Sequence, residues 1–263
     1  MKINMIIPAK GTSTRLQNKN LMTIDGKSLV RLACEKALKS KYVDEVYLDS
    51  ESDSIFAQVQ DLTKSGLKFI KRPASLATNK TGANEMMIYG LHSVSECDLL
   101  LQTFATSPTL SIKTIDLCIE KFIDNNHNYD SFFTVNKVQE YFWDLDNNPV
   151  NFSTDRLPNS FELNPIFMET HGLYGIKTET LLKCKKRVGY NPLIIEISKT
   201  ESIDIDDYED FLIANAQATS QSLFEINEEG VATFRAREGA DGVPSAVVGG
   251  LYFTTSSAYI GID

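Results

Sequence analysis

The sequence contains no long apolar run, and this absence argues against a membrane-spanning protein. No stretch of it approaches the roughly 20 consecutive apolar residues that a membrane-spanning helix requires. The apolar run near the start ends at Pro8 and is shorter than the core of a secretory signal peptide. We therefore expect a cytoplasmic protein with no membrane partner.

Cysteine is also scarce, and its spacing excludes two kinds of site. The four cysteines, Cys34, Cys97, Cys118 and Cys184, lie far apart within apolar segments. A zinc knuckle or a redox pair requires cysteines a few residues apart, so neither is expected. Free, buried thiols in a reducing compartment are the expectation.

Positive charge is in deficit overall but is concentrated near the start of the chain. Lysine and arginine number 26 against 35 aspartate and glutamate residues, giving a net charge of −9, so we expect no nucleic-acid partner. After the apolar run 3–7, however, a small, hydroxylated loop carries Lys10, Arg15 and Lys19. A strand that ends in such a loop directs backbone N–H groups and cations at one spot, which suits a polyphosphate. Gly11 stands alone there, without the glycine triplet of a dinucleotide-binding loop.

Strand and helix patterns alternate along most of the 263 residues, which predicts one main domain. Apolar runs predict strands at 3–7, 46–48, 67–70, 99–101, 132–135, 172–176 and 193–197. Helical spacing predicts helices after residue 28, over 55–62, around Met87, from an N-cap at Ser111, over 179–184 and from Tyr208. This order predicts an α/β fold with a doubly wound, mostly parallel sheet, whose ligand lies at the carboxyl ends of the strands.

Two regions depart from the alternation. Residues 139–168 are aromatic and turn-rich and indicate an excursion, either a substrate lid or a dimerisation arm. The main domain is expected to span 1–217. Six of the 14 glycines fall in 230–263, so residues 218–263 are interpreted as an appendage. Its nature stays open between a β-rich self-association element, a foreign sequence and a partly disordered tail.

Four separated segments carry a resemblance to a known family. They are Ile-Pro-Ala-Lys-Gly-Thr-Ser-Thr-Arg-Leu with Lys-Asn-Leu in 7–21, Arg-Pro-Ala-Ser-Leu-Ala-Thr in 72–78, Gln102 with Thr-Ser-Pro in 106–108, and Ser-Ile-Asp-Ile-Asp in 202–206. In this order they resemble the cytidylyltransferases that activate 3-deoxy-2-ulosonic acids, the acylneuraminate and 3-deoxy-manno-octulosonate enzymes. The resemblance implies the nucleotide-diphospho-sugar transferase version of the fold and a homodimer.

The resemblance also implies roles for individual residues. Catalytic roles fall to Lys10, Arg15 and Lys19, nucleotide binding to Ala9, Gly11, Ser13, Asn20, Arg72, Thr78 and Asn79, and sugar binding to Gln102, Ser107 and His171. Lys10 stands where the family has arginine, so it lacks the planar fork that binds phosphate in two places. Solvated surface cations, a capped turn after Arg72 and a structural histidine at position 171 remain the alternatives.

An acidic pair near residue 205 predicts a metal site. Asp204 and Asp206 alternate on a predicted short strand, which directs both carboxylates to one face, where they suit Mg²⁺. A solvated acidic run is the alternative. Asp207 and Asp210 are interpreted as the N-cap and a first-turn charge of the last helix.

Two departures from the family concern the sugar. Asp144 and Glu169 stand where the sialate enzymes have cations, which would repel a plain carboxylated substrate or favour an amino-substituted one. The expected reaction is Mg²⁺-dependent transfer of CMP from CTP to the anomeric hydroxyl of a nonulosonic or octulosonic acid. Another nucleotide or acceptor, and a catalytically silent sugar-nucleotide-binding protein, are the alternatives.

Overall fold

A seven-stranded sheet organises the chain in the computed structural model, which describes residues 1–226, 232–234, 251–253 and 258–260. The strands are β1 (Ile3–Pro8), β2 (Thr23–Ile24), β3 (Lys27–Ser28), β4 (Glu45–Ser50), β5 (Leu67–Lys71), β6 (Leu99–Thr103), β7 (Ser131–Val138), β8 (Ile166–Lys177) and β9 (Pro192–Glu196). The main sheet has the order β5-β4-β1-β6-β8-β7-β9, and β2 and β3 form a separate small hairpin. The expected α/β architecture is therefore confirmed.

The sheet is parallel except around β8. Strands β5, β4, β1 and β6 pair in parallel, and β9 pairs in parallel with β7. Strand β8 runs antiparallel to both of its neighbours, β6 and β7. The chain returns from β7 through the 139–168 excursion, and this long connection reverses the strand direction.

The sheet is buried on both faces, which explains the continuous apolar run of β1. Met5 and Ile7 pack into the larger core cluster on one face, whereas Ile6 belongs to a smaller cluster with Met87 and Leu100 on the other. Apolar residues at consecutive positions are typical of such doubly covered strands. The loops that follow the parallel strands all emerge at one edge.

Six helices cover the sheet within the described residues. They are α1 (Leu29–Ala37), α2 (Asp53–Ala57), α3 (Ala83–Ser93), α4 (Ile112–Asn125), α5 (Thr178–Cys184) and α6 (Tyr208–Leu223). The expected N-cap at Ser111 is confirmed, since its side chain accepts a hydrogen bond from the Thr114 N–H. Asp207 likewise accepts from the Asp210 N–H at 3.0 Å at the start of α6. None of the described helices combines the length and apolar character needed to cross a membrane.

Two sequence-based predictions of secondary structure are wrong. The helix predicted over 55–62 ends at Ala57 because Val59, with φ of −135° and ψ of 15°, leaves the helical region, and a 3₁₀ helix follows at Gln60–Ser65. The strand predicted for Asp204 and Asp206 is absent, since 202–206 forms an irregular segment before α6. A backbone hydrogen bond from the Ile205 N–H to the Thr106 carbonyl at 2.8 Å ties this segment to the loop after β6.

The excursion and the tail are only partly regular. Strand β8 begins at Ile166, so the last residues assigned to the 139–168 excursion belong to the sheet. In the tail, Phe224–Ile226 pairs antiparallel with Ala232–Phe234, and Leu251–Phe253 pairs with Ala258–Ile260. Helix α6 continues to Leu223. The other parts of the predicted 218–263 appendage lie outside the described residues.

The expected thiols are also present. Cys34, Cys97 and Cys118 are free and buried, and Cys184 is free and partly buried. Burial raises the pKa of Cys97 to about 11 and that of Cys118 to about 12, so both stay protonated near neutral pH.

Candidate functional site

A cleft of about 470 Å³ opens at the carboxyl ends of β1 and β6. This is the edge where a doubly wound sheet holds its ligands. The cleft is lined by Pro8, Lys10, Thr12, Ser13, Thr14, Arg15, Lys19, Asn20, Asn79, Ala83, Phe104, Ala105, Thr106, His171, Arg187, Asp204 and Asp206. Segments distant in sequence thus converge on one polar cavity.

The loop after β1 is fixed by contacts with the end of β4 and the residue that follows it. The buried Ala9 donates its N–H to the Asp49 carbonyl at 2.9 Å, and the Gly11 N–H donates to Glu51 Oε1 at 2.8 Å. A Cβ atom at Gly11 would lie 2.5 Å from the Cβ of Ser52, so this close approach requires glycine. These contacts set the path of the chain that carries the cations.

The cations of this loop are paired with groups on other segments. Lys10 Nζ donates to Asn79 Oδ1 at 2.5 Å, and Lys19 Nζ donates to the Ile205 carbonyl at 2.6 Å. Asp206 receives both nitrogens of the Arg15 fork at 2.7 Å and Lys19 Nζ at 3.2 Å. The carboxylate of Asp206 therefore joins the first loop to the segment before α6.

Asp204 lies beside His171 on the same side of the cleft. His171 Nδ1 is 3.3 Å from Asp204 Oδ2, and the Thr106 side chain also hydrogen-bonds to Asp204. Burial acts to raise the pKa of Asp204, but the bonds from His171 and Thr106 outweigh it and lower the pKa. The same contact with Asp204 raises the pKa of His171. Asp204 thus carries a full charge into the cleft at neutral pH.

A second charged cluster borders the cleft at β8. Arg187 Nη2 lies 3.0 Å from Glu169 Oε1, and the guanidinium carbon lies 3.7 Å from the centroid of the Tyr174 ring. The Tyr174 hydroxyl donates to the same oxygen of Glu169. Burial raises the pKa of Tyr174, so this phenol remains a hydrogen-bond donor.

Comparison with known proteins identifies the family. The family model described as Cytidylyltransferase matches residues 4–229. The chain belongs to the cytidylyltransferase family. The matched range includes every residue that lines the cleft.

Curated relatives in this cytidylyltransferase family act on several sugar acids. A Helicobacter pylori protein named pseudaminic acid cytidylyltransferase and UDP-2,4-diacetamido-2,4,6-trideoxy-beta-L-altropyranose hydrolase is 25% identical over 225 residues, which cover 82% of this chain and 43% of that protein. The N-acylneuraminate cytidylyltransferase of Escherichia coli is 27% identical over 219 residues, which cover 81% of this chain and 51% of that protein. The chain spans about half the length of the curated relatives it matches.

Solved structures agree on the fold. The structure of CMP:2-keto-3-deoxy-manno-octonic acid synthetase complexed with CTP superimposes with a TM-score of 0.60 at 14% identity, covering 84% of this chain and 100% of that one. At this identity the likeness establishes the fold alone. It confirms the expected nucleotide-diphospho-sugar transferase type of sheet.

The structure brings nine of the expected site residues together in the cleft. They are Lys10, Ser13, Arg15, Lys19, Asn20, Asn79, His171, Asp204 and Asp206. Six others do not line it: Ala9, Gly11, Arg72, Thr78, Gln102 and Ser107. Ala9 and Gly11 set the path of the loop after β1 without lining the cleft. Thr78 is exposed, and its side chain accepts a hydrogen bond from the Lys80 N–H at 3.2 Å, which caps its own turn.

Arg72 lies behind the cleft in a buried ion pair. Its Nε and Nη2 approach the two carboxylate oxygens of Asp49 at 3.1 and 2.9 Å, and Nη2 also donates to the Asp49 carbonyl. Burial raises the pKa of Asp49 more than the guanidinium lowers it. In this arrangement Arg72 holds the ends of β4 and β5 together.

Gln102 and Ser107 are buried beneath the cleft. Each is 2% exposed, and within the described part of the chain neither Gln102 Oε1 nor Ser107 Oγ has a hydrogen-bond partner. Buried polar atoms normally have a partner, and burying one without a partner is energetically costly. Their predicted contact with a sugar stays a prediction.

Sequence reasoning missed Arg187, Phe104 and Thr106. Arg187 follows two lysines and has the appearance of a solvated surface charge, so no local pattern marks it. Phe104 directly follows β6 and Thr106 begins the Thr-Ser-Pro segment, so their position at the end of a predicted strand was a usable signal. Asp144, in contrast, lies outside the cleft and accepts hydrogen bonds from Asp146 and Asn148 in an exposed turn.

Proposed function

We propose that this chain transfers CMP from CTP to the anomeric hydroxyl of a 2-keto-3-deoxy sugar acid and releases pyrophosphate. The observation that carries the proposal is the pairing of Arg15 and Lys19 with Asp206 inside one cleft. A nucleotidyltransferase needs cations for the phosphates and carboxylates for a divalent metal at the same place. Membership of the cytidylyltransferase family supports CTP as the nucleotide.

Lys10, Arg15 and Lys19 are proposed to bind the triphosphate. Their present partners, Asn79 and Asp206, occupy the positions of anionic or polar ligands, so the cations are already oriented toward an acceptor. As the sugar hydroxyl attacks the α-phosphorus, negative charge grows on the equatorial oxygens and on the departing pyrophosphate. Fixed cations stabilise that charge without reorganising, a contribution of about 2.7–4 kcal/mol for one well-placed donor.

Asp204 and Asp206 are proposed to hold Mg²⁺. Members of the family generally use a divalent metal. Within the described residues no cluster of three or more histidine, cysteine or acidic side chains forms a closed metal cage. This donor set fits Mg²⁺, which typically takes one or two protein carboxylates together with water and substrate phosphates. When bound, the ion would neutralise phosphate charge and activate the attacking hydroxyl.

The sugar acid is proposed to belong to the nonulosonic or octulosonic class. Relatives named for N-acylneuraminate, pseudaminic acid and 3-deoxy-manno-octulosonate support this class. We further propose a cytoplasmic homodimer with no nucleic-acid or membrane partner. Trp143 and Phe161, 54% and 77% exposed on the 139–168 excursion, support a dimerisation arm.

Incubation with each nucleoside triphosphate, Mg²⁺ and a mixture of the three sugar acids tests the proposal by pyrophosphate release and product mass. The expected product is a CMP-sugar, formed with CTP only. Lys19→Met should abolish it, whereas Lys113→Met, at an exposed position on α4, should not. Turnover of UTP or ATP instead of CTP, or CTP binding without any product, would refute the proposal.

A further inference from the structure

Arg187 is a cation of the cleft that comes from a different segment than the loop after β1. It lies in the connection between α5 and β9 and is 15% exposed, whereas the Arg15 side chain is 67% exposed. A guanidinium shielded in this way interacts more strongly with an anion than one surrounded by water. The chemistry of Arg187 is therefore not that of a solvated surface charge.

Three contacts hold Arg187 in one orientation. Its backbone N–H donates to Asn84 Oδ1 at 2.8 Å, which ties the connection to α3. Its guanidinium stacks on the Tyr174 ring, and its Nη2 approaches Glu169 Oε1 at 3.0 Å. Because the side chain is already ordered, binding an anion costs little further conformational entropy.

Glu169 does not line the cleft and is engaged through one carboxylate oxygen, Oε1. The same oxygen contacts Arg187, accepts from the Tyr174 hydroxyl and lies 3.9 Å from His171 Nε2. Of the guanidinium nitrogens of Arg187, only Nη2 forms a hydrogen bond within the described residues. The other edge of the planar fork thus remains for a planar anion, the geometry at which arginine binds a carboxylate in two places.

The Arg187 cluster is distinct from the phosphate-facing cations. Arg15 and Lys19 share Asp206, and Lys10 bonds to Asn79, whereas Arg187 is paired through β8. On the basis of the proposed function, we propose that Arg187 binds the carboxylate of the sugar acid and sets the preference for an acidic acceptor. Glu169 stands where the sialate enzymes have a cation, and Arg187 would supply that missing positive charge.

Arg187→Met and Arg187→Lys test this role. Methionine keeps an apolar stem on Tyr174 but removes the charge, so KM for the sugar acid should rise about 30-fold, the effect of one lost charge-assisted bond. KM for CTP should stay within about twofold of wild type. Lysine restores charge without the fork and should recover part of the loss. Lys186→Met, an exposed neighbour, is the matched control.

A substrate cycle separates this role from a general loss of packing. With the carboxamide of the accepted sugar acid, wild type should lose about 30-fold in kcat/KM, and Arg187→Met should lose little more. Equal losses in both proteins would overturn the proposal, as would a rise in KM for CTP instead of for the sugar. If wild type turns over CTP with no sugar acid at all, the proposed function itself fails and this assignment fails with it.

Discussion

Lys36 is a shielded lysine whose charge state should make the stability of the protein depend on pH. Its ammonium, at the end of α1, donates to the carbonyls of Ser107, Pro108 and Leu110 at 3.1, 2.9 and 2.8 Å. Burial lowers its pKa to about 8, although the charge of Glu201 acts in the opposite direction. Because Thr106 directly precedes these carbonyls and holds Ile205, Lys36 supports the segment that carries both aspartates of the cleft.

The lowered pKa of Lys36 has a definite sign in the free energy of unfolding. Between about pH 8 and the ordinary value of 10.5, the folded protein releases the proton of Lys36 while the unfolded chain keeps it. The unfolded state then binds more protons, so Lys36 makes stability rise with pH in this window. Integrating from about pH 7 to about pH 9.5 gives about 2 kcal/mol of added stability.

Lys36→Met isolates this contribution, because the cysteines and tyrosines that also titrate in this range are the same in both proteins. Urea unfolding at several pH values between about 7 and 9.5 should show wild type gaining about 2 kcal/mol relative to the variant. The exposed Lys39→Met should follow wild type throughout. Parallel curves for wild type and Lys36→Met would refute the reasoning and show that the three carbonyls stabilise the ammonium as strongly as burial disfavours it.

Three further substitutions have distinct expected outcomes. Asp49→Ala leaves the buried Arg72 without its counter-charge and should lower the unfolding free energy by about 3–5 kcal/mol in urea, whereas Asp53→Ala, in an exposed pair, should change it little. Asp206→Asn should lower kcat about 100-fold in a pyrophosphate assay at saturating CTP, with little change in Tm. Gly175→Ala would put a Cβ 2.1 Å from the buried Phe132 ring and should cost about 1–3 kcal/mol by thermal unfolding.

The parallel half of the sheet was predictable from the sequence. Continuous apolar runs such as 3–7 and 99–101 occur where both faces of a strand are buried, and the structure confirms these strands. The direction of β8 was not predictable, because it depends on how the 139–168 excursion returns to the sheet. The helix predicted over 55–62 failed at Val59, where a β-branched residue interrupts apolar spacing that otherwise fits a helix.

The residues of the candidate site differ in the same way, because some are marked by local sequence and others depend on tertiary contacts. Lys10, Arg15 and Lys19 lie on one short loop, so local sequence identifies them. Arg187 acquires its importance only from Tyr174 and Glu169, which β8 brings beside it, and no local pattern encodes that contact. Lys36 is different, since it lies three residues after the buried Ala33 on the apolar face of α1. A lysine on the apolar face of a helix indicates that a hydrogen-bond acceptor for its ammonium is buried nearby.

The cations of the cleft have partners on neighbouring segments. Arg15 and Lys19 share Asp206, Arg187 pairs with Glu169, and the His171 ring contacts Asp204. Under the proposed function, a triphosphate bound by Arg15 and Lys19 would replace Asp206 as their partner. The Asp206 carboxylate would then be free to hold a divalent metal, which would neutralise phosphate charge. Under the proposed function, this exchange makes the nucleotide and the metal bind cooperatively, because each removes the competitor of the other.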